Sequence, residues 1–222
     1  MFCGKKYCVM FGAGGHAAVL IECLRAQAPG SDLLRAILCD DADRVGDRLL
    51  GVPIRGTDKL LPGLVAEGVD SFIAAAGNSL LRRELFELAC GQQLHPVTVR
   101  HPTAVVSSSA DCGLGCQCMP YSVVHSRAKL GQGVVVNTGA IVEHDCVLGD
   151  FATVATGVSM AGGVVVGACA AIGAGVSVRP GVSIGSGAII GAGMAVYRDV
   201  PDNTVAVGAK GRQFPARDFH RS

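Results

Sequence analysis

The stretch Val124–Leu148, VHSRAKLGQGVVVNTGAIVEHDCVL, contains the clearest structural signal in this chain. A branched or long apolar residue occupies every sixth position, and the repeat continues to Val196. These residues are Val124, Leu130, Val136, Val142, Leu148, Val154, Met160, Val166, Ile172, Val178, Ile184, Ile190 and Val196. A helix or an ordinary strand has no period of six. The spacing predicts a chain wound as a parallel β-coil, with one short flat side per repeat.

Two further positions keep the same register. Two residues before each large residue, from Leu130 onward, lies a mostly small apolar one. These are Ala128, Val134, Ala140, Cys146, Ala152, Val158, Val164, Ala170, Val176, Val182, Ala188 and Met194. Glycine often follows the large residue directly, at Gly131, Gly149, Gly167, Gly173, Gly185 and Gly191. We expect a tight corner at these glycines, because a residue without Cβ adopts conformations that others avoid.

The first hundred residues follow a different pattern. Continuous apolar runs at 7–11, 35–39 and 71–76 predict buried parallel strands. Helical spacing at 17–27 and 79–90, with a helix capped by Thr57 between them, predicts a small open α/β sheet. We therefore divide the chain into a Rossmann-like α/β domain at 1–100, an all-β coil at 101–198 and a C-terminal tail at 199–222. We expect irregular early coils at 104–121 and a tail that packs on the coil as a short strand.

Composition narrows the function classes. With 19 Lys and Arg against 18 Asp and Glu, the net charge is +1, and there is no Trp. Nucleic acid therefore has neither a basic surface nor a stacking platform to bind. Residues 151–178 carry no charge, but they keep the six-residue register, which a lipid-facing helix would not need. No signal peptide is evident, so we expect no membrane insertion and a cytoplasmic location.

The ten cysteines indicate reduced thiols rather than a disulfide framework. Several stand inside apolar runs, where Cys behaves as a small hydrophobic residue. Cys112, Cys116 and Cys118 crowd together without a matching second cluster, so we expect no bound metal.

A glycine-rich loop follows the first strand. Gly12-Ala13-Gly14-Gly15-His16-Ala17 matches G-x-G-x-x-A and opens a helix. This arrangement gives a tight turn, a close backbone approach to phosphate and a helix N-terminus facing negative charge. Asp40 and Asp41, at the end of the second strand, are placed to bind a ribose or base. The alternative is a plain strand–turn–helix junction with solvated aspartates. We favour nucleotide binding; the motif leaves the nucleotide open.

One coil corner carries an unusual group of polar residues, Glu143-His144-Asp145. A carboxylate bonded to one ring nitrogen fixes the histidine tautomer and stabilises the imidazolium, which makes the other nitrogen a better base. Neighbours on a strand point apart, but neighbours at a corner can converge. We therefore predict that His144 is a general base and that Asp145 raises its basicity. The alternative is a solvated histidine.

Several motifs follow one another in a recognisable order. They are Gly12-Ala13-Gly14-Gly15-His16, Asp40-Asp41, Gly77-Asn78, Met119-Pro120-Tyr121, Asn137-Thr138, Glu143-His144-Asp145 and Gly149-Asp150-Phe151. Together they resemble the hexapeptide-repeat sugar O- and N-acetyltransferases of the sialic-acid-acetylating and bacillosamine-pathway type. The resemblance covers nearly the whole chain. It implies a left-handed β-helix fused to a Rossmann-like domain, assembled as a homotrimer with active sites between subunits.

The resemblance also implies ligands and their contacts. Acetyl-CoA would donate its acetyl group directly to the C4 amine of a UDP-4-amino-4,6-dideoxy sugar. The sugar nucleotide would contact Gly14, Gly15, His16, Asp40, Asp41, Gly77 and Asn137. Acetyl-CoA would lie along the coil near Thr153, Gly162, Ala174 and Ala192. Thr153 stands where relatives often carry a second histidine, and Lys210 and Arg212 are candidate contacts for CoA phosphates.

Other functions remain open at this point. The nearest is O-acetylation of a sialic-acid-type sugar by the same base. A β-helical zinc carbonic anhydrase would need three converging histidines, of which only His125 and His144 are evident. A nicotinamide oxidoreductase would use the glycine loop but leave the coil without a purpose. In a non-catalytic trimeric scaffold the Glu143-His144-Asp145 corner would be incidental.

Overall fold

The computed structural model describes residues 7–30 and 33–208. An α/β domain comes first, with strands β1 Tyr7–Phe11, β2 Leu34–Leu38, β3 Arg48–Leu49, β4 Val52–Gly56, β5 Val69–Ala74 and β6 His95–Pro96. Its helices are α1 Gly15–Gln27, α2 Leu61–Ala66 and α3 Ser79–Gly91, with 3-10 turns at Ala42–Arg44 and Asp58–Leu60. The sheet order is β3-β4-β2-β1-β5-β6, and only the β3–β4 pair is antiparallel. This is the Rossmann-like domain predicted from the apolar runs.

A left-handed parallel β-helix follows, and its two-residue strands form three flat faces. Face 1 contains β7 Val99–Arg100, β10 Gln117–Cys118, β13 Val135–Val136, β16 Thr153–Val154, β19 Ala171–Ile172, β22 Ile189–Ile190 and β24 Val205–Ala206. Face 2 contains β8 Val105–Val106, β11 Val123–Val124, β14 Ile141–Val142, β17 Ser159–Met160, β20 Ser177–Val178 and β23 Ala195–Val196. Face 3 contains β9 Asp111–Cys112, β12 Lys129–Leu130, β15 Val147–Leu148, β18 Val165–Val166 and β21 Ser183–Ile184.

The six-residue register is confirmed throughout. Each of the thirteen large residues ends one strand and lies in the core, at most 4% exposed. Successive strands of one face lie eighteen residues apart, as in the pairing of Val135 with Thr153. The register begins earlier than expected, because regular rungs already occupy 104–121, where Cys112 and Cys118 take the inward positions. The coil therefore begins at β7, at the expected domain boundary. It ends at β24, a short strand that lies within the expected tail and pairs with β22.

The glycines after the large residues have a different role from the one expected. The left-handed corner residue comes two positions later, for instance Gly157 with φ +67°. Gly149 itself needs to lack a Cβ, because that atom would lie 2.6 Å from the backbone nitrogen of Ala168 on the next rung. Rungs about 4.8 Å apart leave no room for a side chain at this point. These glycines allow successive rungs of the coil to stack, and they do not form the turn.

The two domains share a continuous interior. The rings of Phe11, Phe72, Phe86 and Phe151 follow one another edge to face, with centroids 5.2–6.2 Å apart, from β1 through α3 to the coil. Beside them the fully buried guanidinium of Arg82 donates to the backbone oxygens of residues 76, 133 and 151 and to Thr153 Oγ1. The α/β domain is therefore fixed against face 1.

Candidate active site

The predicted nucleotide contacts of the α/β domain lie at one edge of its sheet. Neighbouring strands β2, β1 and β5 end just before Asp40, the glycine loop and Gly77 respectively. Gly12 has φ +102°, and a Cβ there would lie 2.7 Å from the carbonyl oxygen of Ala75, so only glycine fits. Gly14, Gly15 and Gly77 face open space. The thirteen-residue helix α1 thus presents its N-terminus at the edge where the strand order reverses, where the crevice beside the sheet is the usual ligand position.

Two polar contacts border this crevice. Arg44 Nη1 donates to the carbonyl oxygen of Ala13 and so holds a positive charge beside the glycine loop. On the coil side, Gln117 Nε2 donates to the Ala74 carbonyl, and its Oε1 lies 2.8 Å from His16 Nε2. His16 Nε2 therefore carries the hydrogen, and Nδ1 is an acceptor. Burial lowers the pKa of His16 from its ordinary value, which favours this neutral form.

His144 and Asp145 meet at the corner between faces 2 and 3, as predicted. His144 Nδ1 lies 2.7 Å from Asp145 Oδ2. A carboxylate only accepts hydrogen bonds, so Nδ1 carries the hydrogen and Nε2 keeps its lone pair. Asp145 also forms a two-pronged ion pair with Arg127, at 2.7 and 2.8 Å. Arg127, and then His144, hold the pKa of Asp145 below its usual range. Glu143 lies 3.7 Å from His125.

Gly162 lies on the rung above His144. A Cβ at Gly162 would be 2.5 Å from Cε1 and 2.7 Å from Nε2 of the imidazole, and Gly163 N donates to the His144 carbonyl. Residue 162 therefore provides the surface on which the imidazole lies. The sequence predicts a cofactor contact at Gly162, and the structure adds this contact with His144.

The remaining predicted contacts fall in separate places. Asn137, Ala174 and Ala192 lie on the edge between faces 1 and 2, which we call edge 1–2. His144, Asp145 and Gly162 lie on the edge between faces 2 and 3, which we call edge 2–3. The Asn137 side chain accepts from the backbone nitrogen of Thr138. One subunit therefore does not bring the two groups together.

Thr153 lies apart from both edges. Its hydroxyl accepts from Arg82 Nη2 at 2.8 Å and lies 3.0 Å from Ser79 Oγ, at the junction of the domains. The tail residues Lys210 and Arg212 lie outside the described residues.

The described part of the chain has neither a metal-binding cluster nor a membrane-spanning helix. Within 7–30 and 33–208, no three His, Cys, Asp or Glu side chains cluster to hold a metal ion. Among the same residues, no helix has the length and hydropathy needed to cross a bilayer. The nine cysteines described are free thiols, and most of them are buried, whereas Cys90 is exposed.

Comparison with known proteins adds independent evidence. Residues 8–89 match the family model of the PglD N-terminal domain. A histidine mutant of perosamine N-acetyltransferase from Caulobacter crescentus, in complex with CoA and GDP-perosamine, is 38% identical, with a TM-score of 0.87 over 92% of this chain and 95% of that one. The acetyltransferase domain of PglB from Neisseria gonorrhoeae, solved also with acetyl coenzyme A, is 34% identical, with a TM-score of 0.83 over 92% and 97%. The chain belongs to the hexapeptide-repeat sugar N-acetyltransferase family.

A hexapeptide-repeat sugar N-acetyltransferase uses acetyl-CoA as its acyl donor, so this chain is an acetyl-CoA-dependent acyltransferase. WeeI from Acinetobacter baumannii shares the fold at 22% identity, with a TM-score of 0.65 over 91% of this chain and 97% of that one. The search of curated proteins gave no match. The predicted acetyltransferase is confirmed, and the carbonic anhydrase and scaffold alternatives are set aside.

Sequence reasoning missed three residues of this acetyltransferase. Arg127 contacts Asp145, Gln117 contacts His16, and Arg44 borders the glycine loop. Arg127 could have been found, because it stands eighteen residues, one full coil turn, before Asp145. Gln117 and Arg44 depend on how the domains and a 3-10 turn are placed, which no spacing in the sequence indicates.

Proposed function

We propose that this enzyme transfers acetyl from acetyl-CoA to the C4 amine of a nucleotide-linked 4-amino-4,6-dideoxy sugar, with His144 as general base. The observation that carries the proposal is the 2.7 Å contact of His144 Nδ1 with Asp145, because it leaves Nε2 able to accept a proton. The imidazole is exposed on the coil, where an acceptor can reach it.

The transfer needs no covalent enzyme intermediate. The neutral amine attacks the thioester carbonyl carbon, a C–N bond forms, and His144 Nε2 takes the proton that the nitrogen loses. The C–S bond then breaks, and the departing CoA sulfur receives a proton from the imidazolium. Asp145 stays ionised throughout and stabilises the imidazolium. Cys146 is buried, and its thiol donates a hydrogen bond to the Ala161 carbonyl, so it is not placed to act as a nucleophile.

The nucleotide is proposed to occupy the crevice of the α/β domain. The N-terminus of α1 and the guanidinium of Arg44 offer positive charge to a diphosphate. Asp40 and Asp41 are exposed at the end of β2 and offer acceptors to a ribose or base. His16 lies in the first turn of α1 and contacts Gln117 of the coil, and Gly77 follows β5. The sugar would extend from there toward the coil.

The proposed assembly is a homotrimer with each active site between two subunits. Edge 2–3 carries the base, while edge 1–2 carries Asn137, Ala174 and Ala192. A CoA molecule that contacts both groups would need edge 2–3 of one copy and edge 1–2 of a neighbour. A cyclic trimer of coils supplies this pairing three times.

Two nucleotides are candidates for the acceptor. The family resemblance implies a UDP-linked sugar, whereas the Caulobacter relatives were crystallised with GDP-perosamine, which favours a GDP-linked one. Measuring kcat/KM with GDP- and UDP-linked 4-amino sugars separates them. We expect about 100-fold or greater preference for one base, because a site built for one hydrogen-bonding edge leaves polar groups unpaired with the other.

The base assignment is tested with His144→Ala. We expect kcat to fall by about 10²–10⁴-fold, the usual contribution of a general base, while the sugar nucleotide still binds. Steady-state kinetics and calorimetric titration of the sugar nucleotide measure the two effects. Full activity in the variant would remove His144 from the mechanism, and lost binding with unchanged kcat would make it a substrate contact instead.

A further inference from the structure

Two residues near the base occupy a corner position that favours glycine. From Cys112 to Ile190, the third residue after each large inward one has positive φ, and at most of these corners it is glycine. Arg127, with φ +60°, and Asp145, with φ +63°, are exceptions that stand one above the other on edge 2–3. Positive φ is uncommon for long side chains and is held only where the surroundings enforce it. The local backbone preference therefore does not explain an arginine at 127.

The side chains of these two residues form one connected group with His144. Arg127 Nε donates to Asp145 Oδ1 at 2.7 Å, and Arg127 Nη2 donates to Oδ2 at 2.8 Å. Asp145 Oδ2 is also the atom that accepts from His144 Nδ1. A planar guanidinium bonded through two nitrogens fixes the plane of the carboxylate as well as its position. An exposed aspartate without such a partner would sample other rotamers.

We propose that Arg127 is a positioning residue for acetyl transfer, holding the Asp145 carboxylate in the orientation that binds His144 Nδ1. This inference rests on the proposed role of His144 as base. Arg127 acts through Asp145, whose carboxylate accepts hydrogen bonds from both the guanidinium and the imidazole. Neither neighbour can replace the guanidinium of Arg127. Glu143 is an acid that pairs with His125, and Gly162, on the rung above His144, is uncharged.

The test is a double-mutant cycle with Arg127→Gly and Asp145→Asn. Glycine suits the left-handed corner, so Arg127→Gly should fold with an unchanged or higher Tm. We expect its kcat to fall about 10-fold, part of what a general base supplies, with both KM values unchanged. Adding Arg127→Gly to Asp145→Asn should cause no further loss, because the group it positions is already absent. Lys129→Ala removes an exposed positive charge from the following strand and is the matched control, expected at wild-type activity.

Nitrogen NMR of the His144 ring gives a readout that does not depend on turnover. The wild-type ring should carry its hydrogen on Nδ1, and Arg127→Gly should show a mixture of tautomers. The proposal is overturned if kcat is unchanged, if the losses multiply in the double variant, or if the tautomer stays fixed. An active His144→Ala enzyme would reject the base assignment instead, while the NMR result would still decide whether Arg127 orders this corner.

Discussion

Among single residues, Gly162 is the one that lies against the ring of His144, the proposed base. Replacing it with alanine would place a methyl group 2.5–2.7 Å from the His144 ring, too close for any real contact. The imidazole must then rotate away from Asp145. We expect Gly162→Ala to lower kcat by about 100-fold, in the range of a general base's contribution, with little change in Tm. Kinetics at saturating substrates and a melting curve measure this.

The same variant separates two roles for residue 162. If Gly162 served only as a contact for acetyl-CoA, the substitution would raise the KM for acetyl-CoA and leave kcat intact. A fall in kcat with unchanged KM supports the contact with the imidazole. Loss of folded protein would contradict both, because residue 162 would then matter for the coil itself.

The active-site corner shows what sequence can and cannot predict at this scale. His144 and Asp145 could be predicted, because adjacent residues at a corner can converge and their chemistry is recognisable. The Arg127 contact needs a second step, since residues eighteen apart become neighbours only after the coil is wound. The hydroxyl of Thr153 could not be placed from its spacing. It bonds to Arg82 on a helix of the other domain.

At the element scale, α3 holds the two domains together through Arg82. Burial lowers the pKa of Arg82 to about 10, so it remains charged at neutral pH. We expect Arg82→Met to reduce the free energy of unfolding by roughly 3 kcal/mol or more, since several buried carbonyls would lose their donors. The free energy of unfolding of Arg82→Lys should lie between those of the wild type and Arg82→Met, because one ammonium cannot reach carbonyls on three segments. Urea denaturation measures the change.

The neighbouring Arg83 provides the control for this prediction. It is exposed and lies 3.8 Å from Glu87 one helical turn later, so Arg83→Ala should change stability little. Equal losses of unfolding free energy for Arg82→Met and Arg83→Ala would mean that the two positions of α3 respond alike. The buried guanidinium would then have no special part.

The elements themselves were predictable to different degrees. The coil register follows from a period of six that leaves one arrangement for each inward side chain. All thirteen large residues are therefore buried, and of the twelve in the second register only Met194 is partly exposed. The role of the glycines after those residues was misjudged, because spacing reports position but not which atoms the next rung brings near. Thr57 was expected to cap a helix; its side chain caps the 3-10 turn that leads into α2.

For the molecule as a whole, the separation of edge 1–2 from edge 2–3 leads us to predict that activity depends on assembly. His144→Ala disables edge 2–3, and Ala174→Arg should disable edge 1–2 by filling the space proposed for CoA. Each variant alone should be inactive. In trimers formed from equal amounts of both, about one quarter of the sites combine two intact edges, because each edge is intact with a probability of about one half.

Co-expression of the two variants with different affinity tags, followed by purification through both tags, isolates these mixed trimers. Each purified trimer contains both variants, so one of its three sites combines two intact edges. Activity near one third of wild type per site would support active sites that are shared between subunits. If each subunit contained a complete site, every site in the mixture would carry one defect, and no activity would return. Subunits that exchange after purification would lower the recovered fraction with time, so the assay is repeated on cross-linked trimers, in which a shared site predicts a constant value.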